Sequence, residues 1–205
     1  MPKISVINLG IGNIASVRFA FAGLGADVHL VEKSSQLGDS DAIVSPGVGN
    51  FRHAMQQIEA AGFPEVLADK IEANTPFLGI CLGMQLLAEY GEEGGVCKGL
   101  GFVPGRVVKV PEDPQHTMPH MGWDDINIIL EEPLFVGMPP KPSFYFVHSY
   151  YFMAGKENVS ATCEYGTEFP VAVQKDRIFG VQFHPEKSQK NGLRFLGNFY
   201  DYLRR

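Results

Sequence analysis

An α/β fold of three layers is expected: a mostly parallel central sheet, flanking helices, and a second half rich in strand. Three observations predict it. Short runs rich in β-branched residues alternate with helix-period segments as far as Gly91. Strand patterns punctuated by Pro and Gly, with little helix between them, fill the chain from Gly105 to Phe183. One amphipathic stripe then closes it. With 205 residues and 45% hydrophobic content, one substantial core and a single domain over 1–205 are expected.

Residues 4–8 form the first strand, and Gly10-Ile11-Gly12-Asn13 turns the chain. Ile14, Val17, Phe21 and Leu24 then recur at helical spacing, with Gly25 as the C-cap. Residues 28–31 and 42–44 are the next strands, the latter stopped by Ser45-Pro46-Gly47-Val48-Gly49. Helical patterns occupy about 51–61 and 64–73, with Pro64 in the first turn of the second. Residues 77–80 make a fourth strand. Further strands are expected at 106–110, 125–129, 143–147, 160–165, 171–174 and 178–182, in antiparallel meanders. A helix over 191–203 carries Leu193, Leu196, Tyr200 and Leu203 on one stripe.

Composition narrows the class. Net charge is -6 and the basic residues are scattered, so nothing marks a nucleic-acid surface. Three cysteines at irregular spacing form no CxxC pair, which argues against a disulfide framework or a zinc site. The first residues read as a strand rather than a signal peptide. No apolar run reaches the about 18 residues of a membrane span. A soluble cytoplasmic protein is expected.

Gly79-Ile80-Cys81-Leu82-Gly83 follows the fourth strand and precedes helix-forming residues. This is the shape of a nucleophile elbow with cysteine as the nucleophile. Glycines on either side let the chain double back, and the following helix N-terminus would favour a thiolate at Cys81. A buried cysteine between packing glycines is the competing reading. A second motif, Gly180-Val181-Gln182-Phe183-His184-Pro185-Glu186-Lys187, breaks the tie. On an extended segment His184 and Glu186 leave the same face, with Pro185 stiffening the piece. A Cys-His-Glu triad follows: the histidine moves the proton and the carboxylate fixes its tautomer. Two glycines in Pro46-Gly47-Val48-Gly49-Asn50-Phe51 could free backbone N–H groups for an oxyanion, or could serve an ordinary loop.

Gly10-Ile11-Gly12-Asn13-Ile14-Ala15 after the first strand, with Glu32 further on, also matches a dinucleotide-binding fingerprint. It is the alternative from a different class, weakened by a parallel half too short for a second mononucleotide unit. Trp123 reads by itself as core. Cys97 and Cys163 read as inert, and His29, His53 and His116 show no obvious partners.

Across nearly its whole length the chain resembles the class I, triad-type glutamine amidotransferases. The Cys81 and His184-Pro185-Glu186 motifs are that family's diagnostic pair, in the family's order. Five further pieces resemble members that serve as the glutaminase subunit of imidazole glycerol phosphate synthase: residues 12–17, 46–51, 119–123, 145–150 and 187–189. Asp124 departs from that pattern, which leads to Asn there.

The resemblance implies a flavodoxin-like fold and the release of ammonia from glutamine, with no cofactor and no metal. It implies Cys81, His184 and Glu186 as the triad, and the N–H groups of Gly49 and Leu82 as the oxyanion hole after a loop rearrangement. Gln85, His148, Ser149 and Tyr150 would seat glutamine. Trp123, Tyr145 and Lys187 would face the partner, a (β/α)₈ cyclase subunit that receives the ammonia in a heterodimer. Other readings that share the elbow are the glutaminase of another synthase, a stand-alone γ-glutamyl hydrolase and a non-catalytic module.

Overall fold

The structure, a computed structural model, describes residues 1–205. The first half alternates β1 (Lys3–Ile7), α1 (Ile14–Gly23), β2 (Asp27–Val31), β3 (Ala42–Gly47), α2 (Phe51–Ala60), α3 (Phe63–Glu72) and β4 (Phe77–Cys81). A single turn, α4 (Leu82–Gln85), follows at once. Two short strands come next, β5 (Tyr90–Gly91) and β6 (Cys97–Lys98), then β7 (Gly105–Lys109), β8 (His120–Ile128) and β9 (Ser143–His148). The last elements are β10 (Tyr150–Ala154), β11 (Val159–Tyr165), β12 (Thr167–Lys175), β13 (Ile178–Val181) and α5 (Gln189–Tyr202).

Nine strands form one sheet in the order β2-β1-β3-β4-β13-β12-β11-β8-β9. From β2 to β13 neighbours run parallel, and from β13 to β9 they run antiparallel. The expected α/β class and the β-rich second half are thus two ends of one sheet, joined at β13. A second sheet, β10-β7-β5-β6, lies outside it.

Side chains alternate across each strand, so one sheet buries two separate faces. Ile4, Val6, Val44, Leu78 and Ile80 pack against α1 and α5 through Val17, Phe21, Phe195 and Phe199. Ile43, Phe77 and Ile178 meet α2 and α3 through Met55, Ile58, Phe63 and Leu67 on the other side. Val107 and Phe152 of the second sheet extend that side. Asn50 caps α2, its side-chain oxygen accepting the His53 N–H at 3.1 Å.

Several expectations need correction. The third strand runs on through Pro46 to Gly47 instead of stopping at Val44. Its pairing with β1 ends at Val44, so beyond that point only β4 flanks it and a proline is tolerated. β8 starts at His120, five residues before the sequence pattern showed it, and β10 was missed. On α5 the buried stripe is Phe195, Leu196, Phe199 and Tyr200, and Leu193 is exposed. His29 and His116 do have partners, Asp27 at 2.9 Å and Asp113 at 2.8 Å.

Candidate active site

The strand ends β3, β4 and β13 converge on one edge, because Gly47 pairs with Cys81 and Val181 with Ile80. Ligands collect at the carboxyl ends of parallel strands in such sheets. Cys81 sits there at φ 54°, ψ −109°, a strained conformation for a residue with a side chain. The flanking glycines are demanded by close approach. A Cβ on Gly79 would lie 2.4 Å from the Gly83 carbonyl oxygen, and one on Gly83 would lie 1.7 Å from that of Ser45. The elbow is therefore real, but the expected helix behind it is only the single turn of α4, so helix-dipole support for Cys81 is confined to that turn.

The Cys81 sulfur faces the Val147 carbonyl at 3.9 Å and accepts a hydrogen bond from Gln182 Nε2 at 3.6 Å. His184 is buried, and its Nδ1 lies 2.9 Å from Glu186 Oε1. The expected extended geometry is wrong, since Pro185–Lys187 is a 3₁₀ turn. Proline's fixed φ suits the first position of such a turn, which swings Glu186 back onto the ring. Burial works against the His184 imidazolium, but the facing Cys81 and Glu186 outweigh it and raise its pKa to about 10. His184 Nε2 and Glu186 Oε2 are buried without further partners.

The segment is clamped to β9. His184 N–H donates to the Tyr145 carbonyl at 2.9 Å. Ser188 Oγ accepts from Tyr145 N–H at 3.0 Å and donates to the His184 carbonyl at 2.6 Å. Phe144 stacks on Phe183 with ring centres 3.9 Å apart, pinning the same segment to β9.

A cavity of about 160 Å³ opens beside the sulfur, lined among others by Val48, Gly49, Leu82, Gln85, Glu93 and His148. Ser149 and Tyr150 complete its wall, so every residue expected to seat glutamine borders this one space. Gly49 has φ 113° and its N–H serves no backbone carbonyl. Gln85 is buried and donates from Nε2 to the Tyr150 carbonyl at 2.8 Å and to Gln182 Oε1 at 3.0 Å. Two residues escaped the sequence reading. Gln182 was hidden in a strand that read as plain packing. Glu93 lies in a Gly-rich turn, accepts the Phe51 N–H at 2.8 Å, and has its pKa raised by burial against that hydrogen bond.

Beside the site, Trp123, Tyr145 and Lys187 form one surface group. The Trp123 and Tyr145 rings are 6.1 Å apart, and Lys187 Nζ lies 5.5 Å from the Tyr145 ring centre. Trp123 is 47% exposed, which corrects its reading as core. It lies on β8 opposite Tyr145 of the edge strand β9, in the part of β8 that has no pairing with β11.

Part of the dinucleotide-like fingerprint has a packing role. Gly12 sits against the end of β3, where a Cβ would lie 3.2 Å from Gly47 Cα, and Glu32 accepts from Asn8 Nδ2 at 3.1 Å. Its glycine serves close approach of backbone to backbone.

Elbow, histidine and carboxylate on a flavodoxin-like sheet are the arrangement of a cysteine-nucleophile enzyme. The family model for glutamine amidotransferase class-I matches residues 5–202, and the chain belongs to that family. Within it, the chain is 47% identical over 197 residues to imidazole glycerol phosphate synthase subunit HisH 1 of Campylobacter jejuni strain 81-176, covering 96% of this chain and 98% of that one. It is 44% identical over 204 residues to the HisH subunit of Syntrophotalea carbinolica, covering 97% and 99%. Among solved structures, PurLQS from Thermotoga maritima shares the fold with a TM-score of 0.76 at 17% identity, covering 98% of this chain and 99% of that one.

Proposed function

We propose that this chain is the glutaminase subunit of an imidazole glycerol phosphate synthase, acting as one domain. The observation that carries it is the convergence of Cys81, the His184–Glu186 pair and the Glu93-bearing cavity on one sheet edge. The similarity to HisH subunits supplies the partner-linked reading.

Glutamine enters with its α-ammonium toward Glu93, the one carboxylate lining the cavity, and its side-chain amide toward Cys81. The sulfur attacks the amide carbon. The N–H groups of Gly49 and Leu82 hold the resulting oxyanion. His184 gives a proton to the departing nitrogen, the C–N bond breaks, and ammonia leaves a γ-glutamyl thioester. His184 then takes a proton from water, whose oxygen attacks the thioester. Glutamate departs and the sulfur is restored. Glu186 keeps the imidazole in register throughout.

Gln85, His148, Ser149 and Tyr150 fix the substrate's remaining polar groups. Ammonia passes to a cyclase subunit of (β/α)₈ form, docked over Trp123, Tyr145 and Lys187. Exposed Trp123 and Met121, 47% and 60% accessible, give that surface an apolar anchor next to the triad. Three free cysteines and the absence of a helix long and apolar enough to cross a membrane fit a cytoplasmic setting. The experiment is glutamate release by the chain alone, with the cyclase subunit, and with the subunit plus its nucleotide substrate. A rise across the three supports the assignment, and equal rates contradict it.

A further inference from the structure

Behind the cavity, Asp124, His120 and His148 form a row of polar groups that runs inward from the surface. Asp124 Oδ2 lies 3.1 Å from His120 Nε2, His120 Nδ1 lies 3.0 Å from His148 Nε2, and His148 Nδ1 lies 2.9 Å from the Tyr150 carbonyl. Both histidines are buried, while the Asp124 side chain is 35% exposed. The same Tyr150 carbonyl accepts from Gln85, so the row ends on the group that fixes the glutamine seat.

Donor directions along this row are forced from its inner end. A carbonyl only accepts, so His148 Nδ1 carries hydrogen. His148 is neutral, held down to about 3 by burial, with His120 and His184 adding to the effect against the Tyr150 hydrogen bond. Its Nε2 must therefore accept, and His120 Nδ1 must donate. That leaves His120 Nε2 against the Asp124 carboxylate. With its one hydrogen already on Nδ1, a neutral His120 would present a lone pair to a carboxylate oxygen. The contact holds only while a second proton lies between Nε2 and Oδ2.

Resting on the glutaminase reading above, we infer that Asp124 is a positioning residue for the glutamine seat: one exchangeable proton shared with His120 locks the His120–His148–Tyr150 row. Loss of that proton loosens the seat without touching the triad. The surroundings set its range. Facing His120 are Asp124 on its own strand, His148 on β9, Cys163 and Tyr165 on β11, and His116 with its partner Asp113. Phe146 and Phe169 close the rest with apolar rings. Cys163 is pushed up to about 12 by burial and stays an uncharged thiol near neutrality. Burial lowers the His120 pKa, the Asp124 carboxylate opposes that, and His116 adds to it. The lock therefore releases as pH rises, at a point below the ordinary histidine value.

The test is the KM for glutamine between pH 5 and 8 in the complex with the cyclase subunit, for the natural chain and for Asp124→Asn. An amide at this position donates to a neutral His120 Nε2 and satisfies the row at every pH. The natural chain should show KM rising about fivefold with pH, the effect of about one net hydrogen bond, with Asp124→Asn flat. The kcat profiles of both should coincide. Parallel KM profiles would overturn the inference. Imidazole ¹⁵N spectra of the isolated natural chain give a readout independent of activity. His120 should titrate at Nε2 while Nδ1 keeps its hydrogen, and a neutral form carrying hydrogen on Nε2 would equally overturn it. Absence of turnover in any partnered sample at every pH would fail the glutaminase reading instead, leaving the spectra to decide the lock.

Discussion

Gln182 points its Nε2 at the Cys81 sulfur, 3.6 Å away, while its own Oε1 takes a hydrogen bond from Gln85 at 3.0 Å. One fully buried amide thus ties the nucleophile to the floor of the glutamine cavity. Replacing it by Leu keeps the bulk, removes the donor to sulfur and strands a Gln85 N–H. Alkylation of Cys81 by iodoacetamide at neutral pH should slow about tenfold, the size of a hydrogen bond to a charged acceptor. An unchanged rate would show that the Gln182 contact does nothing for the nucleophile.

Cys81→Ser should abolish glutamine-dependent activity, by roughly 10³-fold or more, since a hydroxyl is far harder to ionise than a thiol. The partnered complex fed free ammonia should still make product. His184→Ala should be nearly as damaging, and Glu186→Gln should cost less than either because it acts through the ring. Turnover by Glu186→Gln equal to that of the natural chain would remove Glu186 from the triad.

The elbow predicts a contrast between two glycines. A Cβ at Gly83 would lie 1.7 Å from the Ser45 carbonyl oxygen, and backbone cannot step aside as a side-chain tip does. Gly83→Ala should destabilise the chain by about 3 kcal/mol or more in urea unfolding. Gly23, the last residue of α1, has open space for a Cβ and should accept Ala without loss. Equal effects at the two sites would contradict the close approach.

Acid should weaken the fold through His148. Its folded pKa of about 3 lies below the usual 6.5, so between those values the unfolded chain binds a proton that the folded chain does not. Stability present above pH 6.5 is then lost as pH falls toward about 3, on the order of 3 kcal/mol by pH 4. His184 has the opposite sign: its contribution is full below 6.5 and lost as pH rises through about 10. His148→Gln, which can still donate to the Tyr150 carbonyl, should flatten the acid limb of urea midpoints against pH. A limb as steep as in the natural chain would show that His148 is not its source.

Lys187→Ala removes the cation 5.5 Å from the Tyr145 ring, in the surface group beside the triad. Glutamate release by the isolated chain should be unchanged, while the activation on adding the cyclase subunit should fall about tenfold, as follows from the proposed docking of that subunit over this group. Loss of basal turnover with intact activation would place Lys187 in the chemistry instead.

The residue order alone determined the class of fold, the elbow and the histidine-carboxylate pair, because each is a local pattern. Strand period, two glycines about a cysteine, and His-Pro-Glu are all complete within a few residues. The family resemblance extended this to Gln85, His148 and the surface group around Lys187. Local patterns failed where a residue's surroundings come from distant chain. Pro46 stays in a strand because β1 ends before it, and Trp123 is exposed in a stretch of β8 that pairs only with the edge strand β9. Gln182 and Glu93 became site residues only through pairing: β13 against β4 puts Gln182 beside the sulfur, and the Phe51 N–H at the start of α2 holds Glu93 at the cavity. The Asp124–His120–His148 row likewise exists only because β8 and β9 pair with His120 opposite His148. Sequence dictates the chemistry each side chain can perform, but which groups meet is decided by strand register, and register is settled by burying both faces of the whole sheet at once.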